Sequence, residues 1–326
     1  VILTPAVSAD GKRIAYQTGQ VEWNVLEISV PSGTVRTTMT GSGIIAWWPD
    51  WAPSGTRYLV NTDRSGTLAI EDVSAADGFS RRLVASPPGE FVMSPRWSPD
   101  GTRFTFSVGG AGGSLKLMLA NASGGSPTRL DTQTPSGVRS MRTAWSPDSQ
   151  WVAFRRGDAS KEEVVKMRPG AASSLQVLAE FTSADAPSWN NYPPVEWSPA
   201  GDWIVHSRRE GLFIVSPDGK TTRKLTERKL QAYGFSKDGS QLFGILRNTT
   251  GEGPQWQLYS VYMRTGADRF LAPVDLPPSA DSLAGFSLHP DGTRFLTSIA
   301  KWPFDIWMME GFDTSPSPWR RFFRRQ

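Results

Sequence analysis

Seven stretches of this chain are versions of one another, and a chain built from such repeats folds as an array of like units. They read AVSADGKRIAY (6–16), DWAPSGTRYLV (50–60), RWSPDGTRFTF (96–106), AWSPDSQWVAF (144–154), EWSPAGDWIVH (196–206), GFSKDGSQLFG (234–244) and SLHPDGTRFLT (287–297). Their turns fall at 8–11, 52–55, 98–101, 146–149, 198–201, 236–239 and 289–292, so successive turns lie 38 to 53 residues apart. Ser-Pro-Asp-Gly suits a type I turn: Ser opens it, Pro follows where its fixed φ fits, and Gly takes the left-handed position that closes a short hairpin loop. The residues leaving each turn alternate, as in RFTFS and RIAYQ, which is the period of a half-buried strand. A third strand follows in most units (WNVLEISV, TLAIEDVS, LKLMLANA, GLFIVSPDG, QLYSVYMRTG, FDIWMMEG). TVRTTMT, SRRLVAS, PTRLDT, LQVLAEF and TRKLTE supply a fourth.

Four strands in roughly 45 residues is the period of a propeller blade. The expected fold is therefore all-β: one propeller of seven four-stranded blades over residues 1–312, followed by a basic aromatic tail, 313–326. The aromatic near each turn (Trp51, Trp97, Trp145, Trp197, Phe235, Phe286) falls on the innermost strand. Burying one Trp removes about 150–250 Å² from water, worth roughly 4–6 kcal/mol gross at ~25 cal/mol/Å². A packing layer between blades explains this stripe better than an aromatic binding cage. Closure is open at this stage, because the last unit shows three strands. Its missing outer strand is expected from residues 1–5, from the tail, or from chain beyond these residues.

Composition narrows the function. Of 326 residues, 38% are apolar and 20% charged, a globular balance with material for a core. The net charge of +4 is too small to argue for nucleic acid. There is no Cys, which excludes disulfides, Cys-ligated zinc, haem attachment and a thiol nucleophile. No run approaches the ~18 apolar residues of a membrane span. The opening at Val1, directly in strand-like sequence, reads as a processed or excised piece.

Trp-Ser-Pro-Asp-Gly-x-Arg-φ-x-Phe, with NTDRSGTLAIEDV (61–73) and DIWMMEGF (305–312), resembles the TolB-type β-propeller repeat over about residues 2–312. The resemblance implies the fold and an extracytoplasmic (periplasmic) location, and it says little of function. Departures are Val7 and Ala9 in the first unit, Ser149 for Gly in the fourth, Ala200 for Asp in the fifth, and Leu288-His289 before the seventh Pro-Asp-Gly. TolB-type propellers look six-bladed, whereas seven turns here favour seven. The Asp-Ile-Trp ending also resembles the C-terminal propellers of large bacterial sensors.

No catalytic set stands out. The two histidines, His206 and His289, have no companion at metal-ligand spacing, and HExxH and G-x-S-x-G are absent. His206 occupies a strand position that carries Phe in sibling units. GGAGGS (109–114) lacks the Lys-Ser/Thr of a phosphate loop and reads as a hairpin tip. No catalytic residue, metal or cofactor is expected.

Three surfaces are candidates for binding. Loops after the second strands carry Arg64, Arg155, Arg156, Arg208, Arg209, Arg247, Lys301 and Trp302, a positive face opposite the turns suited to an acidic protein segment. Structural ion pairs are the competing reading. The loop into the fifth unit holds Trp189, Asn190, Asn191 and Tyr192, suited to peptide or sugar contact, with an ordinary Pro-ordered crossover as the equal alternative. The tail alternates Trp319, Arg320, Arg321, Phe322, Phe323, Arg324 and Arg325, suited to an anionic membrane surface or an acidic groove, with packing of its aromatics back under the propeller as the alternative. Together these lead to the expectation of a non-catalytic module that docks a protein partner, such as a subunit of a membrane-associated complex. A ligand-sensing ectodomain linked to a kinase is the alternative. An enzyme with a channel-mouth site stands third, and a bound metal or a cluster of perturbed carboxylates around the axis would support it.

Overall fold

The computed structural model describes residues 2–19, 22–39, 45–110, 115–132, 138–187, 194–251, 255–277, 280–301 and 304–310. Strands β1 (Ile2–Val7), β2 (Arg13–Gly19), β3 (Glu22–Ser29) and β4 (Val35–Met39) open the chain. Four consecutive strands then make each of five sheets. The first holds β5 (Ala46–Trp51), β6 (Arg57–Thr62), β7 (Ala69–Ser74) and β8 (Ser80–Ala85); the second holds β9 (Glu90–Trp97), β10 (Arg103–Gly110), β11 (Leu115–Asn121) and β12 (Thr128–Arg129). The third holds β13 (Arg139–Trp145), β14 (Val152–Gly157), β15 (Lys161–Arg168) and β16 (Ala171–Thr182). The fourth holds β17 (Val195–Trp197), β18 (Ile204–Arg208), β19 (Gly211–Val215) and β20 (Thr222–Thr226). The fifth holds β21 (Ala232–Phe235), β22 (Gln241–Arg247), β23 (Trp256–Tyr262) and β24 (Asp268–Pro273). The chain finishes with β25 (Ala280–Leu288), β26 (Arg294–Lys301) and β27 (Phe304–Glu310). The architecture is an all-β propeller.

The turns form as their residues dictate. In the third unit Ser98 Oγ donates to Asp100 Oδ1 (2.6 Å) and accepts from Arg103 N (3.0 Å), while Asp100 Oδ1 accepts from Thr102 N (2.9 Å). Gly101 closes the turn at φ 70°. Ser146 and Asp148 repeat the pair, as do Ser236 and Asp238. These bonds keep the carboxyls of Asp148 and Asp238 below their ordinary range, the serine hydroxyl contributing most.

Seven sheets are present, matching the seven turns, but they are not equivalent. β25 and β26 take β3 and β4 as outer strands, so both ends of the chain build one four-stranded blade. This corrects the expectation that residues 1–5 or the tail would close the last unit. It also corrects the count of four strands in every sheet. With β3 and β4 used for closure, β1 and β2 are left with β27 alone, in a three-stranded sheet.

The six four-stranded blades form a closed circuit, β5 packing on β9, then β13, β17, β21, β25 and back to β5. Apolar clusters fill each gap between neighbours. Val25, Met39 and Leu296 meet Trp51, Tyr58 and Val73 across the closing gap. Leu26, Ile28, Phe286 and Phe295 meet Trp256 and Leu258 on the other side. The three-stranded sheet stands outside this circuit. Ile306 is 83% exposed and Met308 62%, with Trp307, Met309 and Val7 also exposed.

Candidate functional site

Four of the six inner strands carry a bulge at the same place. Trp48, Ser94, Arg142 and Gly285 lie three residues before the strand end at positive φ (50°, 52°, 52° and 80°), where the pairing register shifts. Positive φ is costly for the three that are not glycine. Bulges of this kind re-aim side chains next to functional sites.

The penultimate residues of the inner strands are Asp50, Arg96, Ala144, Glu196, Gly234 and Ser287. Three small residues leave room, and three charges use it. Arg96 reaches from the second blade to the fourth, where Nη2 donates to Glu196 Oε2 at 2.7 Å. Its Nη1 lies 3.6 Å from Asp50 Oδ1 and donates to Phe286 O at 3.3 Å. Asp50 Oδ2 accepts from Trp97 N (2.7 Å), and Ser287 Oγ accepts from Trp51 N (2.8 Å). One guanidinium thus ties four blades together across the axis.

Both carboxylates are buried, and burial disfavours their charged forms. Burial pushes the Glu196 carboxyl up to about 7, opposed by Arg96 and aided by the charge of Asp50. Asp50 is also raised, burial outweighing Arg96. For Arg96, burial would lower the pKa, yet Glu196 and Asp50 together raise it, so it stays charged.

This group partitions the axis. On the turn side a funnel of about 440 Å³ is lined by Asp50 and Arg96, by Trp51, Trp97, Trp145, Trp197 and Phe235, and by prolines of five turns. On the other side a small cavity of about 20 Å³ is lined by Arg96, Glu196 and Arg142 among others. Arg96 faces both. The aromatic stripe therefore has two roles: Trp51, Trp145, Trp197 and Phe235 are buried between blades, and they also form the funnel wall.

The residues singled out from sequence lie elsewhere. Arg155 is buried, bonded to Glu162 (2.9 Å) and to Ser207 O (3.0 Å); Arg156 pairs with Glu163 at 2.6 Å. Arg208 lies over the rings of Phe181 and Phe213, and Arg247 over Trp256. Arg64 and Arg209 are exposed, and Lys301 is half-buried. The ion-pair reading describes Arg155 and Arg156. Trp302, Trp189, Asn190, Asn191, Tyr192 and the tail from Trp319 to Arg325 lie outside the described residues. His206 is fully buried between Phe181 and Phe213, and neither of its ring nitrogens has a hydrogen-bond partner. His289 packs edge-on against Trp51 and bonds Gly55 O at 2.9 Å.

Sequence reasoning missed Asp50, Arg96 and Glu196. The signal was present: DW, RW, AW, EW, GF and SL precede the turns of the last six copies, and half of these pairs open with a charge. Such charges on an innermost strand have only the axis to point into. Among the described residues, no group of three His, Cys, Asp or Glu is placed to hold a metal ion. No helix among them is long and apolar enough to cross a membrane.

Comparison with known proteins adds a family and a direction. A family model described as the TolB beta propeller domain matches residues 1–236. A curated relative, the uncharacterized peptidase YuxL of Bacillus subtilis, is 28% identical over 217 residues, which is 63% of this chain and 29% of that protein. The chain thus spans less than a third of that relative. Among solved structures, a putative TolB from Agrobacterium tumefaciens superposes with a TM-score of 0.63 at 17% identity, covering 87% of this chain and 99% of that one. A puromycin-hydrolyzing peptidase from Mycobacterium tuberculosis gives 0.55 at 14% identity, covering 86% and 55%. At these identities the structural likeness is one of fold. The sequence match to a protein named as a peptidase overturns the expectation of a non-catalytic docking module.

Proposed function

We propose, for a chain that belongs to the TolB β-propeller family, that it is the propeller of a peptidase-type enzyme and that its axial funnel handles the peptide. The sequence match to YuxL carries this reading. The geometry supports it: the funnel is within the roughly 300–1,000 Å³ usual for ligand sites, its wall is aromatic and its few polar groups are convergent. With no G-x-S-x-G in these residues, peptide-bond cleavage is assigned to another part of the enzyme. The propeller's part is to bind and orient. The Trp and Pro walls take apolar side chains, and Arg96 with Asp50 forms a polar floor that limits how far an extended chain enters. The compartment we propose is extracytoplasmic, supported by the TolB-type fold.

The test uses the full-length protein and a panel of chromogenic aminoacyl and short-peptide substrates. The expected result is turnover by the full protein and none by residues 1–326 alone. Absence of turnover across the panel by folded full-length protein would overturn the reading.

A further inference from the structure

We propose that the β1–β2–β27 sheet holds the strands of a seventh blade outside the ring, and that the chain exchanges between this six-bladed arrangement and a seven-bladed ring in which β2 pairs with β3 and β26 with β27. The proposal concerns the propeller itself and does not depend on the peptidase reading.

The first observation is the make-up of the sheet. Pairing places Val7, Ile14, Tyr16, Trp307 and Met309 on one face, and Ala6, Ala15, Ile306 and Met308 on the other. Strands apolar on both faces belong to sheets covered on both faces, as blades are. Here Ile306, Trp307, Met308 and Met309 are all exposed. An exposed apolar surface of this kind marks a missing contact.

The second observation is how the strands cross. β2 and β3 are separated by two residues, and so are β26 and β27. Two-residue loops are the commonest hairpin connection. Yet β2 pairs with β27, and β26 pairs with β3. Gly19 lies opposite Phe304, and Glu22 opposite Lys301, so four strand ends meet at one junction in matching register. Exchanging partners there turns both connections into hairpins without changing the length of any strand. β1–β2–β3–β4 becomes a complete blade, and β25–β26–β27 its neighbour.

The third observation is which interfaces would have to open: that of β3–β4 with the β21–β24 blade, where Leu26 and Ile28 meet Trp256 and Leu258, and that of β25–β26 with the β5–β8 blade. The latter is held by Trp48 N to Ser298 Oγ (3.0 Å), Trp51 N to Ser287 Oγ (2.8 Å) and the His289–Gly55 bond. The contacts of Val25 and Met39 with Trp51, Tyr58 and Val73 can persist, because β3 and β4 lie beside the β5–β8 blade in either ring. The new blade would enter where Arg96 now bonds Phe286 O, so the wider ring draws Arg96 away from one of its anchors.

The chain has no Cys, so engineered disulfides report pairing cleanly. R13C/E310C joins β2 to β27 at an exposed pair and reports the six-bladed ring. I14C/E27C joins the β2–β3 hairpin and reports the seven-bladed ring. Under mild oxidation both variants are expected to cross-link in part, and locking R13C/E310C first in a four-cysteine variant abolishes the I14C/E27C bond. Complete cross-linking of one pair with none of the other would overturn the proposal. Hydrogen-exchange mass spectrometry on the unmodified chain decides the matter if a variant misfolds. Two isotope envelopes for peptides spanning 22–29 and 304–310 support exchange, and single envelopes at all times refute it.

Discussion

His206 and Glu196 bind protons in opposite senses, and each leaves its own mark on stability. Burial lowers the pKa of His206 well below 6.5, with Arg208 and Arg155 adding to the effect. The unfolded chain therefore binds more protons as pH falls through about 6.5, and stability is lost on the acid side. Phe106 and Phe154 fill the equivalent position in two sibling blades. His206→Phe is expected to raise the melting temperature by several degrees at pH 5 and by much less at pH 8, read by thermal denaturation. Glu196 behaves the other way. Its folded pKa of about 7 lies above its ordinary 4.5, so its contribution is present below pH 4.5 and lost as pH rises to 7. Glu196→Gln mimics the protonated form. It should match the parent near pH 4.5 and exceed it at pH 8 by about 1–3 kcal/mol in denaturant titrations. A flat difference across that range would mean that Glu196 does not titrate there. The His206 position was legible in the repeat alignment within the chain; the proton affinity of Glu196 was not, because burial and Arg96 come from other blades.

At the scale of elements, the turns and strands were legible because their determinants are local. Ser98, Asp100 and Arg103 bond within five residues of one another, and strand alternation is visible in any short window. Strand partners at the closure were not legible, because β3 is as well suited to β2 as to β26. Glycines discriminate the outcome. A Cβ on Gly33, in the β3–β4 turn at φ 72°, would sit 2.2 Å from Pro273 O in the neighbouring blade. A Cβ on Gly11, in the β1–β2 turn at φ 70°, meets nothing within 4 Å. Gly11→Ala is expected to cost only the left-handed backbone penalty, about 1–2 kcal/mol. Gly33→Ala carries that penalty plus displacement of the closing hairpin, and should lower the melting temperature distinctly more. Equal costs would place the β3–β4 turn away from Pro273.

For the whole molecule, ring closure sets what the axis can do. Six inner strands bring Arg96 within reach of Glu196, two blades away, and this pairing holds Arg96 beside Asp50 at the funnel floor. In the proposed peptidase, the double variant Arg96→Gln/Glu196→Gln removes the pair that anchors the floor while keeping side chains of similar length. Its kcat/KM for longer peptides is expected to rise relative to that for short ones by about tenfold, a difference of ~1.4 kcal/mol. An unchanged ratio in a folded variant would show that the floor does not select by length.

The amino-acid sequence alone determined the repeat, the all-β class, the seven turns and the alternation that makes each strand, since these depend on residues close together along the chain. It also determined that these 326 residues carry no thiol. Only the tertiary structure decided that β3 and β4 close the ring, that Arg155 and Arg156 turn to Glu162 and Glu163, and that Asp50, Arg96 and Glu196 meet on the axis. The physical reason is the same in each case. A strand edge or a guanidinium has several chemically equivalent partners along the chain, and the choice is made by whichever one the closed ring brings within a few ångströms.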